Sequence, residues 1–416
     1  MGAQIVVKKP LLIKLIKSKL ELADALDKSR KISKKDGNAL LYSTASVSEL
    51  STLLREYEKE ISMTEDDSRP IETKTHLRDE VANIVGEDHN ELLATVPKKW
   101  SLYSPMVLFN NGTFDTPDWA NYFLKNGKTL LFDHLSDSFF KGYTHYAVNK
   151  PIIEEDVMRR PFSLVPLHGD FGPEPTTQMF ESPSGLDIER AFWCTVTQNG
   201  ISQEWAPRYT MFSRGNITEK KRLLDSYKNL TGENVVDLYA GIGYFALSYL
   251  ANGATVYCWE INPWSIEGLL RGLKKNGCKF SLIKDGDNFD ATTHSEALGS
   301  GVNAFVFHES NEHAVERLSR LDLAIAHYNL GLLPTSRQGW EVVRRLESHK
   351  SKGSQVSPAL VHAHENVHKN DFNQIVKEIE TFFDGRVIQL NKVKTFAPDI
   401  WHIVLDVQLR SQMLLQ

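Results

Sequence analysis

The chain has 416 residues, 41% of them hydrophobic and 24% charged, with a formal net charge of −5, a make-up that suits a globular protein with two or three cores and argues against a uniformly basic nucleic-acid binder. No apolar run approaches the ~20 residues of a membrane span, and the start lacks an apolar stretch closed by a small-residue cleavage site, so a cytoplasmic protein without membrane contact is expected. Cys194, Cys258 and Cys278 are odd in number and form no C-x-x-C pair, which speaks against a disulfide framework and a thiolate zinc site.

Met1-Gly2 opens like a myristoylation signal, but Val6 stands where that signal needs Ser or Thr. Residues 1–35 carry ten Lys/Arg against three acids. Such a segment can gather phosphates, although a Lys-rich helix is more often a solvated face. Helical patterning runs over Leu11 to Leu26 and Val47 to Tyr57, and the acidic stretch 57–91 reads as a linker or an exposed helical surface. Residues 1–93 are taken as an N-terminal helical domain and a candidate nucleic-acid contact.

An aromatic-rich block follows from Trp100, with a helix expected over Ser136–Val148 and a turn-rich crossing at 159–173. It ends in a hairpin: β-favouring Phe192 to Thr197, then Asn199-Gly200 for the positive φ angles of a tight turn, then a returning strand. Residues 94–206 are read as a smaller α+β domain, in which Trp193 and Trp205 are stacking candidates but more naturally core tryptophans.

From Glu233 to Pro263 the chain reads strand, glycine turn, helix and second strand ending in an acid. Val235 to Tyr239 suits a buried parallel strand, while Gly241 and Gly243 let the backbone pass close to a ligand. Glu260, 23 residues after Asp237, stands where a carboxylate accepts both hydroxyls of an adenosine ribose. GIGYFA also satisfies the dinucleotide-dehydrogenase fingerprint, so the glycines alone leave the cofactor open.

Further strands are expected at Phe280 to Asp285, Leu323 to Tyr328 and Ala359 to His364, with helices between most of them. That alternation implies a doubly wound α/β sheet, mostly parallel. The pair Arg386 to Thr395 and Ile400 to Leu409 adds an antiparallel edge hairpin, an ending typical of S-adenosylmethionine-dependent transferases, so residues 207–416 form the expected cofactor domain. His362, His364 and His368 with Glu365 have metal-like spacing, but such clusters more often arise by chance, and no metal is expected.

MFSRGNITEKKR (Met211 to Arg222), together with DLYAGIGYF, Glu260-Ile261-Asn262-Pro263, Gly286-Asp287-Asn288 and NLGLLPTS (Asn329 to Ser336), resembles the tRNA wybutosine-synthesising protein two family. These are tRNA 4-demethylwyosine aminocarboxypropyltransferases related to the tRNA guanine-N1 methyltransferases. The likeness is firm over about residues 190–410 and looser over 97–190.

The resemblance implies a class I S-adenosylmethionine-dependent transferase fold. It also implies an enzyme that moves the 3-amino-3-carboxypropyl group of S-adenosylmethionine to the base beside the anticodon of phenylalanine tRNA, releasing methylthioadenosine, without a metal and as a monomer. The family's cofactor contacts fall on Ser213, Lys220, Glu260, Asp287 and Asn288, beside the glycine turn at Gly241. Lys220 suits the cofactor's carboxylate, Ser213 the carboxylate or amine, and Asp287 and Asn288 the adenine at the end of the third strand. Asn329 would face the base or the amino acid arm. No residue is assigned as proton acceptor. The segment Phe289 to Asn311 looks like an insertion relative to the family pattern. Guanine-N1 methylation, whose enzymes carry a shorter Asn-Leu-Pro after the fourth strand, and a non-catalytic RNA-binding protein with a vestigial cofactor fold are the alternatives.

Overall fold

The structure, a computed structural model, describes residues 2–27, 30, 32–35, 38–66, 76–149, 164–321, 323–349 and 358–410. Parts of the expected acidic stretch (67–75) and of the turn-rich crossing (159–163) lie outside them. The chain forms two compact units, Met1–Asp79 and Glu80–Gln416. Among the described residues no helix is long and apolar enough to cross a membrane.

In the first unit both expected helices are present, at Ile13–Leu22 and Val47–Leu53, the second opened by a capping box between Ser46 and Glu49. They accompany a four-stranded antiparallel sheet in the order Ser33–Lys35, Asn38–Ser43, Gly2–Val7, Ile61–Asp66, which corrects the purely helical expectation. The signal for it is short: Ala3, Ile5 and Val7 alternate into the core with Gln4 and Val6 turned outward.

The second unit begins with a four-stranded sheet, Trp100–Tyr103, Met106–Asn110, His145–Asn149 and Leu164–His168 in that order. The helix expected over Ser136–Val148 is instead the end of helix Thr129–Ser138, a turn through Gly142 at φ +85°, and the strand His145–Asn149. The aromatic periodicity misleads because two elements share one core: Phe132 from the helix and Tyr146 from the strand have ring centroids 4.8 Å apart. The hairpin is as expected, Cys194–Gln198 pairing with Ile201–Trp205 through Asn199 (φ +54°) and Gly200 (φ +81°). Trp205 is buried and stacks on Phe212, while Trp193 is half-buried beneath Arg271.

The largest sheet has eight strands, here labelled β1 Asn234–Asp237, β2 Thr255–Trp259, β3 Phe280–Lys284, β4 Ala304–His308, β5 Ile325–Leu330, β6 Leu360–His368, β7 Gly385–Ala397 and β8 Ile400–Leu409. Their order is β3-β4-β2-β1-β5-β6-β8-β7, with β1 to β6 parallel and β8 antiparallel to both neighbours. This is a doubly wound α/β sheet closed by an antiparallel edge hairpin. Val236, Tyr257, Phe305 and Tyr328 fill one layer, and Val235, Val256, Leu247 and Leu269 the other.

One expectation fails here. The stretch Phe289 to Asn311 is no insertion, because it holds the helix Ala291–Gly299 and strand β4, which pairs directly with β2. Helix Ala291–Gly299 buries only His294, so it carries little amphipathic signal to announce the crossover that feeds β4.

Candidate functional site

The carboxyl ends of β1, β2 and β5 meet where the sheet's connections diverge to opposite sides, the place where such sheets bind ligands. Gly241 and Gly243 follow β1 with φ of +55° and +83°. A Cβ on Gly243 would come within 2.8 Å of Leu269 Cδ1, and one on Gly241 within 3.0 Å of the Tyr244 ring, so both positions need glycine for conformation and space.

Glu260, directly after β2, fastens this turn. Its Oε2 accepts from Gly241 N at 2.9 Å, and its Oε1 accepts from Ile261 N (2.9 Å) and Asn262 N (2.8 Å). Burial raises its carboxyl above the usual range while the backbone donors pull it back. Three of the carboxylate's roughly four lone-pair sites are thereby used, and the free one, on Oε2, is open to a hydroxyl.

The FSRGNITEK motif runs along the same end of the sheet. Ser213 precedes a short turn of 3-10 helix, its amide donating to the Tyr244 hydroxyl at 3.1 Å, and the Tyr244 hydroxyl donates to Met211 O. Helix α1 (Ile217–Ser226) then carries Lys220 inward. Lys220 is only 4% exposed, and its Nζ donates to Gln198 Oε1 (2.8 Å) and Gln203 Oε1 (2.7 Å), below the faces of Phe212 and Tyr244. No carboxylate pairs with it among the described residues, and burial lowers its ammonium to about 8. A buried cation without a counter-charge is costly unless an anion joins it, so this position fits a carboxylate-bearing ligand.

Asn329, near the end of β5, is fully buried beside Asp237 at the end of β1. Its Nδ2 donates to Asp237 Oδ1 at 3.2 Å. Asn329 Oδ1 and Asp237 Oδ2 have no hydrogen-bond partner among the described residues. Burial pushes the Asp237 carboxyl up to about 7.

Asp287 and Asn288 do not end the strand beside β2, and among the described residues Asp287 is joined to the end of β4 only by its carbonyl, which accepts from Arg317 Nη1 at 2.6 Å. They follow β3, the edge strand, whereas β4 occupies the place beside β2. Asp287 is exposed and accepts from its own turn, Lys284 N at 2.8 Å, and Asn288 donates to Asp290 at 3.0 Å. The position expected of them belongs to Glu309, Ser310 and Asn311 after β4. Glu309 is buried and paired with Arg317 at 2.6 Å, and Asn311 Nδ2 donates to Leu238 O at 2.8 Å, at the foot of the glycine turn.

The histidines build a different feature. Arg222 of α1 holds Glu219 (2.7 Å) and grips both oxygens of buried Asp406 on β8 (2.7 and 3.0 Å). Asp406 accepts from His362 Nδ1 at 2.6 Å, and His362 Nε2 meets His327 Nδ1 at 3.0 Å. Burial drives His327 down to about 3, so it is neutral. His364 meets His402 at 3.0 Å. His362 and His364 are therefore engaged in buried hydrogen bonds, and among the described residues no group of three His, Cys, Asp or Glu could hold a metal ion. Gln198, Gln203, Arg222 and Asp406 are not legible as site residues in the sequence. Only the Asn199-Gly200 turn and the FSRGN motif mark the segments that carry three of them.

Residues 195–316 match the TRM5/TYW2 methyltransferase domain family. The chain is similar in fold to P. horikoshii TYW2 in complex with MeSAdo, with 17% identity and a TM-score of 0.52 covering 80% of this chain and 98% of that one. It is also similar to the aTrm5 of a complex with tRNALeu, with 14% identity and a TM-score of 0.51 covering 99% and 100%. Fold alone thus leaves both branches of the domain family open. Sequence separates them: the tRNA wybutosine-synthesizing protein 2 of Schizosaccharomyces pombe is 36% identical over 360 residues, 84% of this chain and 82% of the relative. At that identity over that share of both chains, the chain belongs to the tRNA wybutosine-synthesizing protein 2 family.

Proposed function

We infer that the protein transfers the 3-amino-3-carboxypropyl group of S-adenosylmethionine to the 4-demethylwyosine base of a tRNA in wybutosine synthesis. The observation that carries this reading to the level of the site is Lys220, a buried ammonium next to the glycine turn with no described carboxylate, which suits the carboxylate of the amino acid arm. The acceptor is the base beside the anticodon of phenylalanine tRNA, and the protein acts as a cytoplasmic monomer.

When bound, S-adenosylmethionine would supply a sulfonium whose γ carbon is open to in-line attack by a carbon of the base, so that the 3-amino-3-carboxypropyl group moves as the S–Cγ bond breaks, neutral methylthioadenosine leaves and the base carbon gives up a proton. The chain's task is positioning. Glu260 accepts the ribose hydroxyls, and Gly241 and Gly243 let the backbone approach. Lys220 and the Ser213 hydroxyl hold the amino acid arm. Ser310 and Asn311, in place of Asp287 and Asn288, border the adenine. Asn329, with its unpartnered buried carbonyl oxygen, is assigned to the arm or the base.

The domains proposed are 1–93, 94–206 and 207–416, the last holding the cofactor. Incubation of the purified protein with S-adenosylmethionine and precursor-bearing phenylalanine tRNA tests the reaction. Methylthioadenosine is the expected by-product. S-adenosylhomocysteine instead would replace this reading with guanine-N1 methylation, and absence of S-adenosylmethionine binding would favour a vestigial fold.

A further inference from the structure

The ammonium of Lys220 is held by neutral groups. It has three N–H donors, of which one goes to Gln198 Oε1 and one to Gln203 Oε1, at 2.8 and 2.7 Å. No acceptor for the third is found among the described residues. Gln203 is 2% exposed, and its other amide atom, Nε2, donates to Gly243 O at 3.2 Å. One side chain on the hairpin therefore joins the cation to the glycine turn. An amide oxygen accepts from an ammonium without cancelling its charge, whereas a carboxylate in the same place would neutralise it. The remaining neighbours, Phe212 and Tyr244, offer ring faces 4.9 and 5.7 Å from Nζ, which favour a cation but do not discharge it.

We propose that Gln203, assisted by Gln198, is a positioning residue that fixes Lys220 to the Gly243 turn while leaving its charge and third N–H for the carboxylate of the amino acid arm. The inference rests on the assignment of Lys220 to that carboxylate. It gives the hairpin a part in the reaction: the strand pair ahead of the sheet selects a cofactor by the arm that is transferred.

The test uses calorimetry on the full chain with S-adenosylmethionine and with methylthioadenosine, which carries no carboxylate. Gln203→Glu keeps the size of the side chain and its bond to Lys220 but adds a counter-charge and gives up the N–H donated to Gly243 O. It is expected to weaken S-adenosylmethionine roughly tenfold or more, while methylthioadenosine stays within about twofold. Retained methylthioadenosine binding also reports that the variant is folded. Gln198→Glu, at the partly exposed end of the hairpin, is expected to show the same split in smaller degree. Unchanged S-adenosylmethionine affinity in Gln203→Glu overturns the proposal, as does an equal loss of both ligands, which would make Gln203 a support of the fold only. Lys220→Met separates this from the parent assignment. If it too leaves the two ligands unsplit, Lys220 does not meet the carboxylate and both readings fall. If it splits them and Gln203→Glu does not, only the role of Gln203 falls.

Discussion

Glu260 and Asp237 end neighbouring strands, yet their surroundings give two carboxylates opposite tasks. Glu260 accepts three backbone N–H bonds, so its orientation is set before any ligand arrives. Glu260→Gln puts an amide NH2 against one of those donors. We expect affinity for S-adenosylmethionine and methylthioadenosine to fall together, by about tenfold or more, because both carry the ribose. A calorimetric result in which only one falls would remove Glu260 from the ribose. Asp237 is instead buried with one oxygen unpartnered and a carboxyl raised to about 7. A raised carboxyl contributes stability that is complete below its ordinary value of 3.8 and is lost as pH climbs through about 7. Asp237→Asn does not ionise, so thermal melts should show it gaining on the parent at pH 8, by up to roughly 4 kcal/mol for a shift of this size. The advantage should shrink steadily below pH 7 and close only near pH 4. An advantage independent of pH would mean that Asp237 is not held protonated.

At the scale of elements, α1 is tied to the far side of the sheet by Arg222 and Asp406, and Asp406 is tied in turn to His362 on β6. Burial alone would raise the Asp406 carboxyl, but His362 and Arg222 together hold it below the usual range. Asp406→Ala leaves a buried guanidinium with one carboxylate fewer and should destabilise the protein by about 3–5 kcal/mol, read as a lower urea midpoint. A cost near zero would show the network to be dispensable. The site's strand order makes a second prediction. Asp287→Ala should leave S-adenosylmethionine binding within about twofold, and Asn311→Ala should weaken it by several-fold; the reverse would restore the edge strand β3 to the adenine.

Strands β1, β2 and β5 are legible because each is a mostly apolar run with a polar residue at its carboxyl end, and the hairpin because Asn-Gly fixes its turn. Strand β4 escapes although AFVFH is as apolar as its neighbours, because Gly286-Asp287-Asn288 already looks like the expected strand end and leaves no vacancy to fill. The buried partners Arg222–Asp406 and Lys220–Gln203, 184 and 17 residues apart, are set by tertiary approach and have no local signature.

Across the whole molecule, every residue assigned to the cofactor lies between Ser213 and Asn329, within the unit Glu80–Gln416, and that unit contains the complete eight-stranded sheet and the hairpin that holds Lys220. The unit Met1–Asp79 has a core of its own, with Ile5, Leu20, Leu41 and Leu50 all at 0% exposure, and its first 35 residues hold ten Lys/Arg against three acids. Cofactor binding and tRNA binding should therefore separate on truncation. A fragment of residues 80–416 is expected to bind S-adenosylmethionine within about twofold of the full chain. If the basic segment gathers backbone phosphates, the same fragment should bind tRNA more weakly and with a shallower salt dependence, since every phosphate no longer neutralised by a lysine or arginine takes roughly 0.7–0.9 off the slope of log K against log salt. Filter binding at two ionic strengths reads this directly. Equal slopes for fragment and full chain would make the lysines a solvated face and leave tRNA capture to the second unit.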